Sequence, residues 1–175
     1  MAIPILTTPR IKLRPFTPDD AETFRQIMAE PGVLQYFPEI EPPSLERVQS
    51  LIERLRLHWE NHGYGIWALE SLSTGELIGR CGLFYIPNTD ETEVDYILAK
   101  GQWGKGIATE VAKVALRFGF ENAQREAIVG IVHPGNRASQ HVLEKIGMKF
   151  TRADNYFGMD CLRYAISRAE FGPPP

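Results

Sequence analysis

Cysteine, basic charge and long apolar runs are all scarce in this sequence, and each shortage excludes a class of protein. The two cysteines, Cys81 and Cys161, form no paired motif, so neither a disulfide framework nor a cysteine zinc site is predicted. The formal net charge of −3 provides no basic surface for nucleic acid. No apolar run is as long as a membrane span, and residues 1–9 lack the basic segment of a signal peptide. We therefore expect a soluble, cytoplasmic protein that binds neither nucleic acid nor membrane.

What the sequence does have is the composition of one compact domain. Hydrophobic residues make up 43% of the chain and aromatic residues 10%, which is enough for a full core without a disulfide or a metal. Neither an internal repeat nor a linker divides the sequence. We predict one domain over 8–170, followed by a flexible, proline-rich tail over 171–175.

The hydrophobic pattern predicts strands and helices in a definite order. Thr17 to Asp20 is typical of a helix start, and Ser44 precedes a run whose apolar residues recur every three or four positions. Apolar segments between turns are typical of strands. The predicted strands cover 11–16, 66–69, 77–86, 91–98, 128–132, 148–152 and 161–167, with a loop over 154–158, and the predicted helices cover 18–29, 45–59, the segment from the glycine turn to Asn122, and 137–146. This order is typical of a mixed α/β domain.

The most informative segment is a glycine-rich turn, Trp103 to Glu110, which connects a predicted strand to a predicted helix. Such a turn exposes backbone N–H groups at the positive end of a helix dipole, an anion site that suits a diphosphate. Small residues at Gly104, Gly106 and Ala108 let phosphates approach the backbone, and Thr109 adds a hydroxyl donor.

Other phosphate-binding motifs fit this turn poorly. A P-loop is excluded because Lys105 is followed by glycine, and a Rossmann fingerprint is disfavoured because Glu121 and Glu126 are poor candidates for its ribose-binding acid. On its own, the turn is equally consistent with an ordinary strand-to-helix corner.

Three collinear segments resemble the GNAT acetyltransferase superfamily, and the resemblance covers nearly the whole chain. The turn resembles the loop that wraps the coenzyme A pyrophosphate in that superfamily, with Gly106 and Ala108 in its small positions and Trp103 where glutamine or arginine is usual. With the segments 8–14 and 133–148, that tryptophan resembles the branch of ribosomal-protein N-terminal acetyltransferases. The resemblance implies a single-domain α/β fold with a mixed, mostly antiparallel sheet of six to seven strands and four helices. The sheet is expected to split between the strand before the glycine turn and the next strand.

The resemblance implies an activity as well, namely transfer of an acetyl group from acetyl-coenzyme A to a primary amine by direct attack in a ternary complex. The expected acceptor is a protein N-terminal α-amine. The protein itself is expected to be a monomer or a homodimer. A small-molecule amine (polyamine, amino acid or antibiotic) and a non-catalytic acyl-coenzyme A-binding protein stay open as alternatives. An α-amine has a pKa of about 7.7–8.0, against about 10.4 for lysine, so a strong catalytic base is optional.

The family pattern also suggests which residues contact the coenzyme. They lie at the end of the strand, in the glycine turn and on a later helix. The residues are Ile97, Leu98, Ala99, Trp103, Gly104, Lys105, Gly106, Ile107, Ala108, Thr109, Asn136, Ser139 and Lys145. One backbone N–H at the end of the strand is the expected oxyanion donor. Asn136 equally suits a helix N-cap, and Lys145 equally suits a helix C-terminus.

Three residues are candidates for catalysis, two of them by their resemblance to positions of the family. Glu93 matches a common acidic position, and Asp95 lies two residues on, hence on the same face of the strand. Two carboxylates that close can raise one pKa into the range of a general base, although solvated carboxylates on a sheet face would look the same in sequence. Ser139 matches a serine proposed to protonate the leaving thiolate, by positioning or by relay through water, and a structural serine is the alternative.

Aromatic residues in two loops are candidates for the acceptor site. Tyr36 and Phe37 in a proline-bounded loop, and Tyr156 in the late loop, are expected to wall it, with core or rim packing as the alternative. His58 and His62 lie four residues apart on a helix but have no third ligand in the sequence, so no metal is expected.

Overall fold

The computed structural model describes residues 2–172, which form eight strands in one mixed sheet and five α-helices. The strands are β1 (Leu6–Thr7), β2 (Ile11–Arg14), β3 (Ile66–Ser71), β4 (Leu77–Ile86), β5 (Glu91–Leu98), β6 (Ala127–Val132), β7 (Lys149–Tyr156) and β8 (Met159–Ser167). The helices are α1 (Ala21–Ala29), α2 (Leu45–His62), α3 (Ile107–Glu121), α4 (Arg137–Lys145) and α5 (Arg168–Phe171), with short 3₁₀ turns at Pro18–Asp20 and Lys100–Gln102.

The strands follow the order β1-β2-β3-β4-β5-β6-β8-β7, and the predicted split lies at its centre. Every neighbouring pair is antiparallel except β5 and β6, which run parallel. Within residues 2–172 these two strands share one residue pair, Glu93 with Val129, whereas β4 and β5 share eight. The mixed, mostly antiparallel sheet with its split is therefore confirmed.

Two short elements were missed by the sequence pattern. Strand β1 has two residues and pairs with Leu13 and Lys12, which makes eight strands instead of the expected six to seven. Helix α5 has four residues, and its last one, Phe171, lies in the predicted tail yet packs against Phe120 with ring centroids 5.0 Å apart. Neither element is long enough to show a hydrophobic period. The predicted tail residues 173–175 lie outside the described part of the chain.

Strand β7 is longer than predicted. It continues to Tyr156, so the expected loop over 154–158 contracts to a two-residue turn, Phe157 and Gly158. The longer helices begin and end close to the predicted residues. For example, the Ser44 hydroxyl accepts a hydrogen bond from the Arg47 N–H at the start of α2, and Gly63 ends that helix with a φ of +72°.

Helices cover both faces of the sheet. Consecutive strand residues such as Ile97 and Leu98 belong to different apolar clusters, one packed against α1 and α2 and the other against α3. The glycine turn thus leads from the open end of β5 onto one face, while α2 lies on the other. No helix among the described residues is long and apolar enough to cross a membrane.

Candidate active site

The glycine turn presents free backbone donors at the start of α3. Gly104 and Gly106 have φ angles of +71° and +75°, which glycine tolerates far better than other residues do. The first helical hydrogen bond runs from the Glu110 N–H to the Gly106 carbonyl, so the N–H groups of residues 107–109 precede the helical ladder. Apart from Gly104 and its two chain neighbours, no described residue has an atom within 4 Å of a Cβ placed on Gly104. The turn therefore has the donors and the open space that a diphosphate requires.

Arg10, just before β2, fixes the shape of this turn. Its Nη1 group donates to the Lys105 carbonyl at 2.9 Å, and its Nε donates to the Glu110 carboxylate at 2.7 Å. Sequence reasoning missed this role, although Arg10 lies in the N-terminal segment that carries the family resemblance. These two bonds link the residue before Gly106 and the first turn of α3 to the same guanidinium group.

A cavity of about 580 Å³ lies between the glycine turn, the end of β5 and the start of α4, and we call it the glycine-loop cavity. Its lysine and arginine lining residues are Lys145 and Arg137, and no carboxylate of residues 2–172 lines it, which suits an anionic ligand. Eleven of the predicted coenzyme contacts line this cavity: Ile97, Leu98, Trp103, Gly104, Gly106, Ile107, Ala108, Thr109, Asn136, Ser139 and Lys145.

Two predicted coenzyme contacts lie elsewhere. Ala99 does not line the glycine-loop cavity, and its N–H donates to the Ile78 carbonyl of β4 at 2.8 Å. Lys105 does not line it either, because its side chain is exposed and its carbonyl is held by Arg10. Arg137, which sequence reasoning treated only as a helix start, lines the cavity instead.

The end of β5 has a backbone edge that faces the split. Because Ala99 is bonded to β4, alternation along the strand directs the N–H of Ile97 to β4 and that of Leu98 to the opposite edge. The Trp103 indole N–H donates to the Leu98 carbonyl at 3.0 Å on that same edge. Of the three N–H groups predicted for the strand end, only that of Leu98 points into the split.

A second cavity, of about 550 Å³, lies on the α2 side of the split, and we call it the carboxylate cavity because Glu93 and Asp95 line it. Five residues line both cavities: Tyr36, Phe37, Tyr96, Asn136 and Ser139. The two cavities therefore meet where β5 and β6 separate.

The two carboxylates of this cavity are in different states. Asp95 forms an ion pair with Arg80 at 2.7 Å, whereas Glu93, which is only 9% exposed, has no basic partner among residues 2–172. Burial and the nearby Asp95 charge raise the pKa of Glu93 well above its ordinary value, against the opposing effect of the Ile131 N–H. Neither group is therefore a freely solvated carboxylate: Asp95 is paired, and Glu93 is buried without an ion-pair partner among the described residues.

Ser139 and Asn136 lie at the junction of the cavities. The Asn136 side chain accepts from the Ser139 N–H at 3.1 Å, so Asn136 is the N-cap of α4 as well as a wall of both cavities. The Ser139 hydroxyl lies 2.7 Å from the Tyr96 hydroxyl, whose pKa is raised by burial. Sequence reasoning missed Tyr96, and no local signal marks it because the two residues are 43 positions apart.

Two of the three residues predicted to wall the acceptor site line the cavities. Tyr36 and Phe37 line both cavities, and the Tyr36 ring stacks on His133 with centroids 5.2 Å apart. Tyr156 lines neither, since its ring is buried and its hydroxyl donates to Glu91 at 2.8 Å. The next residue, Phe157, lines the carboxylate cavity instead.

His58 belongs to the wall of the carboxylate cavity and is fully hydrogen-bonded. Its Nδ1–H donates to the Tyr64 carbonyl at 2.9 Å, and its Nε2 accepts from the Tyr85 N–H at 3.0 Å. Burial lowers its pKa to about 4, with a further contribution from His62. Among residues 2–172, no three histidine, cysteine or acidic side chains are grouped to hold a metal ion.

Comparison with known proteins assigns the family. A sequence profile described as "Acetyltransferase (GNAT) domain" matches residues 10–149. The chain is 31% identical over 150 residues to the uncharacterized protein YkkB of Bacillus subtilis (strain 168), covering 84% of this chain and 86% of that protein.

Solved structures share the fold. An acetyltransferase from Agrobacterium tumefaciens str. C58 superposes with a TM-score of 0.83 at 29% identity, over 95% of both chains. Mycobacterium smegmatis RimJ, in complex with CoA-disulfide, superposes with a TM-score of 0.79 at 21% identity, over 93% of this chain and 84% of that chain. The chain therefore belongs to the GNAT acetyltransferase family and is an N-acetyltransferase that uses acetyl-coenzyme A.

Proposed function

We propose that this enzyme acetylates the α-amine of a peptide or protein N-terminus, with the coenzyme in the glycine-loop cavity and the acceptor in the carboxylate cavity. The observation that carries the proposal is the meeting of the two cavities at the open end of β5, where Tyr96, Asn136 and Ser139 line both. An acceptor amine and an acetyl group brought to this junction from opposite sides would be positioned for direct attack.

The coenzyme side is built mainly from backbone. The N–H groups of residues 107–109 bind the diphosphate, and Arg137 and Lys145 add positive charge around it. The Leu98 N–H points into the split and is the donor that stabilises negative charge on the carbonyl oxygen under attack. Bound acetyl-coenzyme A supplies the thioester, and the chain supplies position and charge.

Glu93 is the base for the acceptor amine. Its raised pKa brings its proton affinity towards that of an α-amine, whose pKa is about 7.7–8.0. Asp95 does not compete for this role because Arg80 holds it in an ion pair. Of the two carboxylates that line the cavity, Glu93 is therefore the one available to accept a proton from the amine.

Ser139 and Tyr96 return a proton to the leaving thiolate. Their hydroxyls are 2.7 Å apart at the junction, so one can donate to sulfur while the other replaces the lost proton and is in turn reprotonated by solvent. We expect Ser139→Ala and Tyr96→Phe each to lower kcat with little change in the KM for acetyl-coenzyme A. An unchanged kcat in both variants would remove the pair from the mechanism.

Ligand titration followed by turnover tests the proposal as a whole. Acetyl-coenzyme A should raise the thermal midpoint of the full chain, whereas NAD and ATP should not. Peptides with a free N-terminus should then be acetylated faster than the same peptides with lysine as their only free amine. Stabilisation by acetyl-coenzyme A without turnover on any amine would indicate a binding protein instead of an enzyme, and preferred turnover of polyamines would move the acceptor to small molecules.

A further inference from the structure

We infer that the preferred acceptor is a monoamine with an apolar, ring-sized substituent close to the amine, held between Phe84 and Phe157. The inference rests on the proposed function, because it assumes that the carboxylate cavity holds the acceptor. Three independent features of that cavity support it.

The first feature is an aromatic floor beside the catalytic carboxylate. Phe84 of β4 pairs directly with Glu93 of β5, so their side chains lie side by side on one face of the sheet. The His58 ring stacks on the Phe84 ring with centroids 4.8 Å apart and an interplanar angle of 16°. Because His58 is itself held by two hydrogen bonds, Phe84 is a fixed surface. An amine that reaches Glu93 therefore places its nearest carbon atoms against an aromatic ring.

The second feature is the conformation of Phe157. It occupies the two-residue turn between β7 and β8 with a φ of +54°, followed by Gly158 at +78°. Asparagine and glycine suit both positions of such a turn, and phenylalanine does not. Its side chain is nevertheless 50% exposed and lines the carboxylate cavity, so the ring gains little from core packing. An unfavourable residue that places an aromatic ring at a cavity mouth points to a ligand as its partner.

The third feature is the balance of charge and apolar surface. Of the two carboxylates that line the cavity, Asp95 is neutralised by Arg80 and Glu93 is needed for the reacting amine. Within the described residues the lining therefore has no carboxylate left for a second ammonium group, and Arg54 adds a positive charge. The remaining walls are largely apolar: Leu51, Leu55, Leu57, Ile131, Val132 and Met159. The cavity thus favours one amine and an apolar body over a polyamine.

A panel of acceptors at saturating acetyl-coenzyme A tests the inference. We expect kcat/KM for 2-phenylethylamine to exceed that for ethanolamine and for butane-1,4-diamine by at least about tenfold. Peptides that begin with phenylalanine and with serine form a second arm, which shows whether the substituent belongs to a free amine or to a first residue. Equal kcat/KM across each pair, or preference for the diamine, would overturn the inference and leave acetyl transfer intact. A lack of turnover on every amine, despite coenzyme binding, would overturn the proposed function instead.

Phe157→Asn separates recognition from folding. Because asparagine suits the turn, the variant should have an unchanged or higher thermal midpoint, while its KM for 2-phenylethylamine rises about fivefold and its preference for 2-phenylethylamine over ethanolamine falls. Phe150→Asn is the matched control, since Phe150 is an aromatic residue of the same hairpin, 54% exposed, that lines neither cavity. An equal change of KM for both acceptors in Phe157→Asn, or the same change in Phe150→Asn, would contradict the role of Phe157.

Discussion

The two cavities that meet at the split differ in whether backbone groups or side chains provide their ligand contacts. The glycine-loop cavity uses backbone N–H groups of one continuous segment, and its shape depends on two glycines and on Arg10. The carboxylate cavity uses side chains from α2 and α4, from five strands and from three loops. A constant ligand can be recognised by backbone geometry, which most substitutions preserve. A variable acceptor is selected by side chains, which substitutions change one at a time.

This contrast predicts that variants on the two sides of the split will separate kinetically. Substitutions in the glycine-loop cavity should act on the KM for acetyl-coenzyme A, and substitutions in the carboxylate cavity should act on kcat or on the KM for the acceptor.

The largest effect is expected for Glu93→Gln. Removing the base should lower kcat about a hundredfold while the KM for acetyl-coenzyme A stays constant. The folded pKa of Glu93 is raised above its ordinary value of 4.5, so the neutral side chain stabilises the folded protein at low pH. This contribution is lost as pH rises above 4.5 and through the folded pKa. The variant should therefore be more stable than the wild type at neutral pH, as measured by urea unfolding.

Glu91→Gln provides the control for that result. Glu91 lies on the same strand but outside both cavities, and it forms an ion pair with Arg163 at 2.7 Å. Its loss should lower stability and spare kcat. If both glutamine variants changed stability in the same direction, the assignment of Glu93 as a buried, unpaired carboxyl would be wrong.

Gly106→Ala tests the glycine-loop cavity and should raise the KM for acetyl-coenzyme A about tenfold. Alanine disfavours a φ of +75°, so the turn must distort and misalign its N–H groups. Gly75→Ala is matched in strain, with a φ of +74° in the turn between β3 and β4, away from either cavity. Both variants should lose roughly 1 kcal/mol of stability, but only the first should affect KM. A shift of KM in both would mean that general destabilisation, not the turn, is the cause.

The same contrast explains what could be predicted from sequence. The helices and the glycine turn have local signals, such as the Ser44 cap and small residues at fixed spacing, so their positions were predicted nearly correctly. Most of the predicted coenzyme contacts belong to one such segment, the glycine turn. The two predicted contacts that do not line the cavity, Ala99 and Lys105, lie where distant groups, Ile78 and Arg10, bind the backbone.

The acceptor side depends on contacts between distant segments, which local patterns do not encode. Tyr96 meets Ser139 across 43 positions, and Phe84 meets Glu93 through strand register. Tyr156 was misplaced because β7 is an exposed edge strand whose side chains, apart from Tyr156, are all exposed. Without alternation of buried and exposed residues, the extent of that strand cannot be read from the sequence.

Arg10→Met tests a residue that contacts the glycine turn but lines neither cavity. Loss of the bonds to Lys105 and Glu110 should loosen the glycine turn and raise the KM for acetyl-coenzyme A about threefold, roughly the value of one hydrogen bond. Arg25→Met is the control because Arg25 forms an ion pair with Glu22 on α1, remote from the turn. An acceptor KM that rises in place of the coenzyme KM would show that Arg10 does not act through the turn.

The smallest effect concerns acid stability on the carboxylate side. The folded pKa of His58 is about 4, below its ordinary value of 6.5, so the unfolded chain takes up a proton first as pH falls. The contribution of His58 to the free energy of unfolding should be full above pH 6.5 and decline as pH falls from 6.5 towards 4, because the protonated ring can no longer accept from the Tyr85 N–H. Over this pH range the thermal midpoint of the wild type should fall by a few degrees more than that of His58→Gln. His141→Gln, at an exposed position, is the control and should show the same dependence of thermal midpoint on pH as the wild type. Equal slopes in all three proteins would show that this wall of the carboxylate cavity does not depend on a neutral His58.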